Sequence, residues 1–467
     1  MSDKIMYPYI PNSVPEIKKE MMEFVGVKDE MELYEEIPEN LKYDGLLNLP
    51  PAILDEYSMK RHIDGILAKN KGVDEYSSFL GSGYACHYAP AVCDEIGSRG
   101  EFVTSYGGDV YGDHGKYQVW FEAQTMICML TGMEFQAQTC HDGAQAASTA
   151  ICMANRINGR KRVLVPESMN PQVLSVVKNY TNSVNPETKL IIEKVKYDST
   201  TGTMDMADLK SKLDDSVSAV FIENPTYLGI MEDKAVEIGK LAAEAGAEYI
   251  VYADPISLGA MEAPRNYGAT ICVGDLHSLG LHLNAGGALA GFINTPDEMK
   301  YMQETKELCS GLVDTVVEGE LGFAQNLYQR THYAVREKGK EFTGTQSNLW
   351  LVNVATYLSL MGPDGMEEVA DTIMTNALYG AREIAQIPRV SLRFTAPFFK
   401  EFVVDFNETG KTVDEINKAL LEKKIFGGAS LKCDFPELGE SALYCITEVN
   451  TKEQIDQLAN ALREVLE

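Results

Sequence analysis

The sequence predicts an α/β protein: a large domain built on a mainly parallel sheet, followed by a smaller α+β domain. Between about 117 and 310, short β-branched runs such as "RVLVP" and "EYIVYAD" alternate with amphipathic stretches such as "DKAVEIGKLAAEAGA". Continuous apolar strands alternating with helices are typical of parallel sheets covered on both faces. After about 385 the pattern becomes strand, helix, strand, helix, which predicts the small domain.

Three segments follow from these patterns. Residues 1–60 are predicted to form a helix beginning at Ser13 and then a proline-punctuated extended arm, which packs on a neighbouring lobe or subunit. Residues 61–329 form the large domain. Residues 330–467 form a helical connection and the small domain, with helical spacing extending from about 297 to 385.

Composition narrows the class of protein. The formal net charge of −28 argues against nucleic acid or an anionic membrane as a partner, because both would repel the chain. The nine cysteines are dispersed and show no CxxC spacing, so neither disulfides nor a zinc site is predicted. No signal pattern and no apolar run of about 18 residues occurs, and a cytoplasmic location is therefore expected.

The stretch "TCHDGAQAASTA" is the first candidate ligand site. Asp142 and Gly143 stand just ahead of a helix of small residues, where free backbone N–H groups favour an anion. His141 precedes them, where its ring could stack on a heteroaromatic cofactor. The alternative is ordinary helix capping by Asp142, with His141 a surface residue.

A second candidate is "YADP", in which Asp254 ends a buried strand. Ligands of open α/β sheets bind outside such strand ends, and a carboxylate there can pair with the pyridinium nitrogen of pyridoxal phosphate (PLP). Asp254 could equally be a turn residue. Asn224 ends the adjacent strand and would border the same crevice. A PLP enzyme also needs a lysine, yet none occurs between Lys240 and Lys300.

Collinear segments carry a family resemblance over nearly the whole chain. The chain resembles the α subunit, or subunit 1, of the two-subunit glycine decarboxylase, the P-protein of the glycine cleavage system. The segments are "YIPNS" (9–13), "FLGSGYACHYAPAV" (79–92), "FEAQTMICMLTGM" (121–133), "DGAQA" (142–146), "YADPISLG" (252–259), "NLWLVNVATYLSLMGPDGMEEVA" (348–370) and "IFGGASL" (425–431).

The resemblance implies the fold of aspartate aminotransferase, fold type I of the PLP-dependent transferases. It also implies glycine dehydrogenase (aminomethyl-transferring, decarboxylating) activity, with aminomethyl transfer to the lipoyl carrier H-protein. In the split enzyme the PLP-binding lysine belongs to a β subunit, in an α2β2 assembly. This chain would then be non-catalytic and would bind no PLP covalently. A vestigial pocket is expected from His141, Asp142, Gly143, Asn224, Asp254 and His277.

Some segments depart from the family pattern. The chain has "TSYGGDVYGDHG" for T-x-Y-T-P-Y-Q-P-E-x-S-Q-G, "GDLHSLG" for G-E-G-Q-x-L-G, "AGGA" for F-G-G-P and "DGAQA" for D-G-A-T-A. A divergent paralogue with another partner or amino-acid substrate therefore stays open. So do a stand-alone PLP enzyme using Lys338 or Lys340, and a binding or assembly protein without chemistry.

Overall fold

The chain divides into two compact units, residues 1–71 and 72–467. The structure is a computed structural model, and it describes residues 7, 9–43, 45, 47–102, 114–137, 139–185, 188–305, 309–326, 335–336, 339–341 and 346–467. The boundaries at 60 and 330 suggested by the sequence stay predictions. Each unit is described by itself.

The first unit opens with helix α1 (Pro15–Val25). The prediction of Ser13 as its N-cap was wrong. The N-cap residue is Val14, and no side chain makes a capping hydrogen bond there. The Ser13 hydroxyl instead accepts a hydrogen bond from the Tyr7 N–H (2.9 Å), within the preceding turn. Pro15 begins the helix, where its missing N–H has no cost.

The arm that follows α1 is not extended throughout. Helix α2 (Glu56–Leu67) begins inside the segment predicted as extended, and the Asp55 carboxylate caps it by accepting from the Ser58 N–H (2.7 Å). Short 3-10 turns precede it at 30–34 and 39–41. Among the described residues of this unit none is buried. The described part of this unit therefore has no core of its own.

Strands and helices alternate along the second unit. Its strands are β1 (Ser77–Ser78), β2 (Phe135–Gln136), β3 (Arg162–Pro166), β4 (Ile191–Val195), β5 (Val217–Asn224), β6 (Glu248–Ala253), β7 (Ile271–Asp275), β8 (Gly291–Thr295), β9 (Cys309–Asp314), β10 (Leu321–Asn326), β11 (Ser391–Leu392), β12 (Glu401–Asp405), β13 (Ile425–Phe426), β14 (Ala429–Ser430) and β15 (Ser441–Cys445). Its helices are α3 (Ala91–Gly97), α4 (His114–Thr131), α5 (Gly143–Asn158), α6 (Pro171–Thr181), α7 (Met206–Lys212), α8 (Ala235–Glu244), α9 (Met299–Met302), α10 (Trp350–Ala385), α11 (Val413–Glu422) and α12 (Lys452–Leu466).

The large sheet has the order β2-β8-β7-β6-β5-β3-β4 within the described residues. All pairings from β4 across to β7 are parallel, and β8 runs antiparallel to β7. Along β5, Val220 and Ile222 join one apolar core while Ala219 and Phe221 join another. Successive residues of a strand face opposite sides of a sheet, so both faces are covered. The predicted mainly parallel sheet is confirmed.

A small antiparallel sheet, β11-β12-β15-β14, lies near the C-terminus of the described chain. Ile416 of α11 and Leu458 of α12 share one apolar core with Phe402 of β12 and Tyr444 of β15. The predicted strand, helix, strand, helix order is thereby confirmed.

Continuous helical structure from about 297 to 385 was a wrong prediction. Strands β9 and β10 pair antiparallel inside this range, and Gly319 in the connecting turn has a φ of 81°. The β-branched run "VDTVV" followed by a glycine turn favours a hairpin over a helix. The long helix α10 begins at Trp350.

Candidate functional site

A cavity of about 240 Å³ lies at the carboxyl ends of β5, β6 and β7. Ligands of α/β sheets bind at such strand ends, since loops there converge on one edge. Of the residues singled out from the sequence, Asp142, Asp254 and His277 line this cavity. Gly143 lies beside it, because its N–H donates to the carboxylate of Asp275, a lining residue, at 2.9 Å.

Besides Gly143, two more of the six predicted residues do not line the cavity. His141 is exposed, and its backbone N–H donates to the Gln145 side chain (2.8 Å). The Asn224 side chain is buried and accepts from the Glu232 N–H (3.0 Å), which holds the turn after β5. Whether any of the six binds a cofactor stays a prediction.

A largely buried ion pair dominates the cavity wall, with side chains only 12% (Lys400) and 18% (Asp254) exposed. The Lys400 Nζ lies 2.5 Å from the Asp254 Oδ2. Burial alone would raise the pKa of Asp254 and lower that of Lys400. The opposite charge of the partner outweighs burial in both cases, so the pKa of Asp254 is lowered and the pKa of Lys400 is raised. The Asp254 Oδ1 also accepts from the Ile256 N–H (3.1 Å) and the Ser278 hydroxyl (3.3 Å). Both groups are therefore charged at neutral pH.

The ion pair continues into a series of four partly buried polar side chains, Asp254, Lys400, His87 and Glu448. Lys400 Nζ lies 3.1 Å from His87 Nε2, and His87 Nδ1 lies 3.0 Å from Glu448 Oε2. Because an ammonium can only donate, His87 accepts through Nε2 and donates through Nδ1 to Glu448. This series of side-chain contacts links Asp254, which follows the large-sheet strand β6, to Lys400, which precedes the small-sheet strand β12. It therefore ties the two sheets together.

The N-terminus of α5 is occupied by carboxylates of the chain itself. Asp275 accepts from the N–H groups of Gly143 (2.9 Å) and His277 (2.8 Å), and Asp142 caps the helix through the Gln145 N–H (2.7 Å). Burial raises the pKa of Asp275 to about 6. These donors are the groups that a bound anion would use.

Glycine at position 143 has a reason other than anion approach. A Cβ on Gly143 would clash with the hydroxyl of Tyr252, a partly buried residue that also lines the cavity. The absent side chain therefore lets β6 and the start of α5 pack closely.

A further carboxyl, Glu223 in β5, is buried in the cavity wall. It accepts from the N–H groups of Asn170 (3.1 Å) and Tyr227 (3.1 Å), which lower its pKa. Burial outweighs both and raises the pKa from 4.5 to about 8. The folded chain thus holds a proton at neutral pH that the unfolded chain has lost.

This proton predicts the pH dependence of stability. Between pH 4.5 and about 8 the folded state binds the extra proton, so the free energy of unfolding falls as the pH rises through this window. Glu223→Gln cannot ionise and should flatten the profile by roughly 2–4 kcal/mol across the window. Urea unfolding of both chains at pH 5 and pH 8 measures the difference. Parallel profiles would contradict the assignment.

Lys400, Asp275 and Glu223 were not predicted from the sequence as site residues. A signal for Lys400 exists, since it interrupts the apolar run "APFFKEFVV", and a lysine flanked by buried phenylalanines needs a partner. Lys340, one alternative Schiff-base lysine, is not a cavity residue: its Nζ lies 2.5 Å from Glu304 Oε1. Lys338 lies outside the described residues.

Neither a metal site nor a membrane span emerges from the described segments. Within them, no group of three His, Cys, Asp or Glu side chains could hold a metal ion. The helices formed by those same residues lack the combination of length and apolar character that crossing a bilayer requires.

The sheet order, the small antiparallel sheet and the cavity at the strand ends define a class, the PLP-dependent transferases of fold type I. The sphingosine-1-phosphate lyase of Burkholderia pseudomallei shows the same fold, with a TM-score of 0.64 at 11% identity over 92% of this chain and 94% of that one. Residues 8–462 match the family model for the glycine cleavage system P-protein, and the chain belongs to that family. The fold and the family predicted from the sequence are both confirmed.

Curated relatives are similar to this chain over nearly its full length. The chain is 34% identical to a Staphylothermus marinus protein (98% of each chain) and 36% identical to one from Chlorobium luteolum (98% of this chain, 100% of the other). Both are named "Probable glycine dehydrogenase (decarboxylating) subunit 1". A crystal structure of an inhibitor-bound glycine decarboxylase (P-protein) superimposes with a TM-score of 0.84 at 28% identity, over 99% of this chain and 100% of that one.

The cavity residues do not fit PLP as a fold type I enzyme holds it. The segment between Lys240 and Lys300 has no lysine to attach the aldehyde. Asp254, placed to pair with a pyridinium, is already paired with Lys400. The N-terminus of α5, placed to hold a phosphate, faces the carboxylate of Asp275.

Proposed function

We propose that this chain is the non-catalytic α-type subunit of a glycine dehydrogenase (aminomethyl-transferring, decarboxylating), and that PLP is carried by a lysine-bearing β subunit. One observation carries the proposal: the chain keeps the complete fold and the strand-end cavity, while the cavity's only lysine, among the described lining residues, is committed to Asp254. Relatives named as subunit 1 support a division of labour between two chains.

The reaction removes CO₂ from glycine and passes the remaining aminomethyl group to the lipoyl arm of the carrier H-protein. PLP on the partner supplies the electron sink for decarboxylation. This chain contributes a rigid scaffold, because the chain of polar side chains from Asp254 to Glu448 fixes its large sheet to its small sheet. The assembly is proposed to be α2β2 and to act in the cytoplasm.

The first unit supplies a surface for the partner. Tyr9, Phe24 and Leu54 are 96%, 92% and 79% exposed, and the described residues of this unit include none that is buried. Exposed apolar surface on this scale marks an interaction site, and burying it would pay for ordering the arm. We infer that residues 1–71 dock on the β subunit.

Co-expression tests the proposal. With a lysine-bearing β subunit, the chain should form a stable complex that exchanges the glycine carboxyl group with bicarbonate when the H-protein is added. Each chain alone should show no exchange above background. A complex that fails to form would contradict the proposal, as would full exchange activity of the β subunit without this chain.

A second candidate function rests on the divergent segment "GDLHSLG". It places Asp275, His277 and Ser278 in the cavity wall, so the departures from the family pattern do reach the site. Association with the partner but activity on another amino acid would favour a divergent paralogue. Another divergent segment, "TSYGGDVYGDHG", lies mostly outside the described residues.

A further inference from the structure

We propose that this chain excludes PLP by filling the cofactor's two charged positions with its own side chains: Lys400 replaces the pyridinium at Asp254, and Asp275 replaces the phosphate at the N-terminus of α5. The proposal concerns this chain alone. It can be tested without the partner and without any assay of glycine chemistry, so it stands or falls separately from the proposed function.

At the cationic position both oxygens of the Asp254 carboxylate already have partners within the chain. Its Oδ2 lies 2.5 Å from the Lys400 ammonium. Its Oδ1 accepts from the Ile256 N–H (3.1 Å) and the Ser278 hydroxyl (3.3 Å). A pyridinium would have to displace Lys400 from its counterion, and the released ammonium would stay buried beside a second positive charge.

At the anionic position the helix donors meet negative groups instead of a free crevice. Asp275 lies against the Gly143 N–H at 2.9 Å, and Asp142 takes the Gln145 N–H at 2.7 Å. A phosphate entering this site would find these N–H donors already occupied. It would also lie beside both carboxyl groups in a buried site, where charge repulsion is strong. The sequence pattern that predicts an anion site is thus satisfied from within the chain.

Lys400 does not replace the missing Schiff-base lysine. The amine must be uncharged to attack an aldehyde. Lys400 is held as an ammonium by Asp254 at 2.5 Å, and it donates to His87 Nε2 at 3.1 Å. The Lys400 ammonium therefore neutralises the Asp254 carboxylate, which is the role that a cofactor's pyridinium would have.

Binding of pyridoxamine 5′-phosphate to the purified full-length chain tests the proposal. This compound has no aldehyde, so surface lysines cannot react with it, and unphosphorylated pyridoxamine separates the two charged positions. Tyrosine fluorescence and isothermal titration calorimetry report the affinity. The wild type should show no saturable binding up to about 1 mM.

Variants at each position should open the site in a graded way. Asp275→Asn should bind the phosphorylated compound more tightly by about tenfold or more, without a matching gain for pyridoxamine. Lys400→Gln should gain for both compounds, and the double variant most of all. Lys432→Gln is the matched control, since Lys432 pairs with Glu440 at the surface and should behave as wild type.

The contrary results are specific. Saturable binding of one equivalent by the wild type anywhere below about 1 mM would overturn the proposal. A folded Asp275→Asn variant with no higher affinity for the phosphorylated compound would also overturn it. This test does not depend on whether the Lys400 variants fold. An equal gain for both compounds in Asp275→Asn would also overturn it, because the phosphate would then not be what Asp275 replaces.

Discussion

Lys400→Met is expected to lower the free energy of unfolding by about 3–5 kcal/mol, because it leaves the buried Asp254 carboxylate without its counterion. It also removes the donor to His87. The loss is measured as a shift of the urea-unfolding midpoint at pH 7. The sign of the pH effect follows from Asp254: its pKa is lowered in the folded chain, so the pair's contribution is complete above about pH 4 and is lost as the pH falls below it.

Two further chains make this result interpretable. Lys432→Met removes an ion pair of similar type whose lysine side chain is 58% exposed, and it should shift the urea-unfolding midpoint far less than Lys400→Met does. The double variant Asp254→Asn/Lys400→Met should recover part of the loss, since no buried charge is then unpaired. If Lys400→Met unfolds like the surface control, the pair does not hold the two sheets together.

Phe24→Asp combined with Leu54→Asp is expected to weaken association with the β subunit by about 30-fold or more, the effect of losing apolar anchors worth roughly 2 kcal/mol. Both side chains are largely exposed in this chain, at 92% and 79%, so the substitutions should leave the folding of residues 72–467 unchanged. Surface plasmon resonance against the purified β subunit measures the affinity.

Val184→Asp is the control for this experiment. Val184 is fully exposed but belongs to the second unit, outside the arm. Its substitution should leave the affinity unchanged. Equal affinity of the arm variant and the control would show that residues 1–71 do not form the interface.

Patterns that repeat along the chain predicted the large sheet and the small domain, because each strand and helix carries its own periodicity. The strand-end rule also predicted where Asp254 would lie. The prediction failed where one side chain had two possible partners. Ser13 can cap a helix, but its hydroxyl instead accepts a hydrogen bond in the preceding turn. Similarly, the hairpin of β9 and β10 was hidden within a region of apparent helical spacing.

The cavity's electrostatics could not be predicted in the same way. Lys400 and Asp254 come from different sheets, and no local pattern indicates that their side chains meet. Asp275 was visible only as a departure from a family pattern, because its role depends on facing the first turn of α5. The absence of a lysine between Lys240 and Lys300 can be read from the sequence, whereas the side chains that we propose to replace a cofactor's charges become visible only in three dimensions.

Reductive trapping on the assembled complex tests the central claim most directly. The complex with the β subunit is incubated with PLP, reduced with borohydride, digested, and mapped by mass spectrometry. We expect one stoichiometrically labelled lysine, on the β subunit, and no stoichiometric label on this chain. A stoichiometric label on any lysine of this chain, Lys400 above all, would contradict the assignment of a non-catalytic subunit.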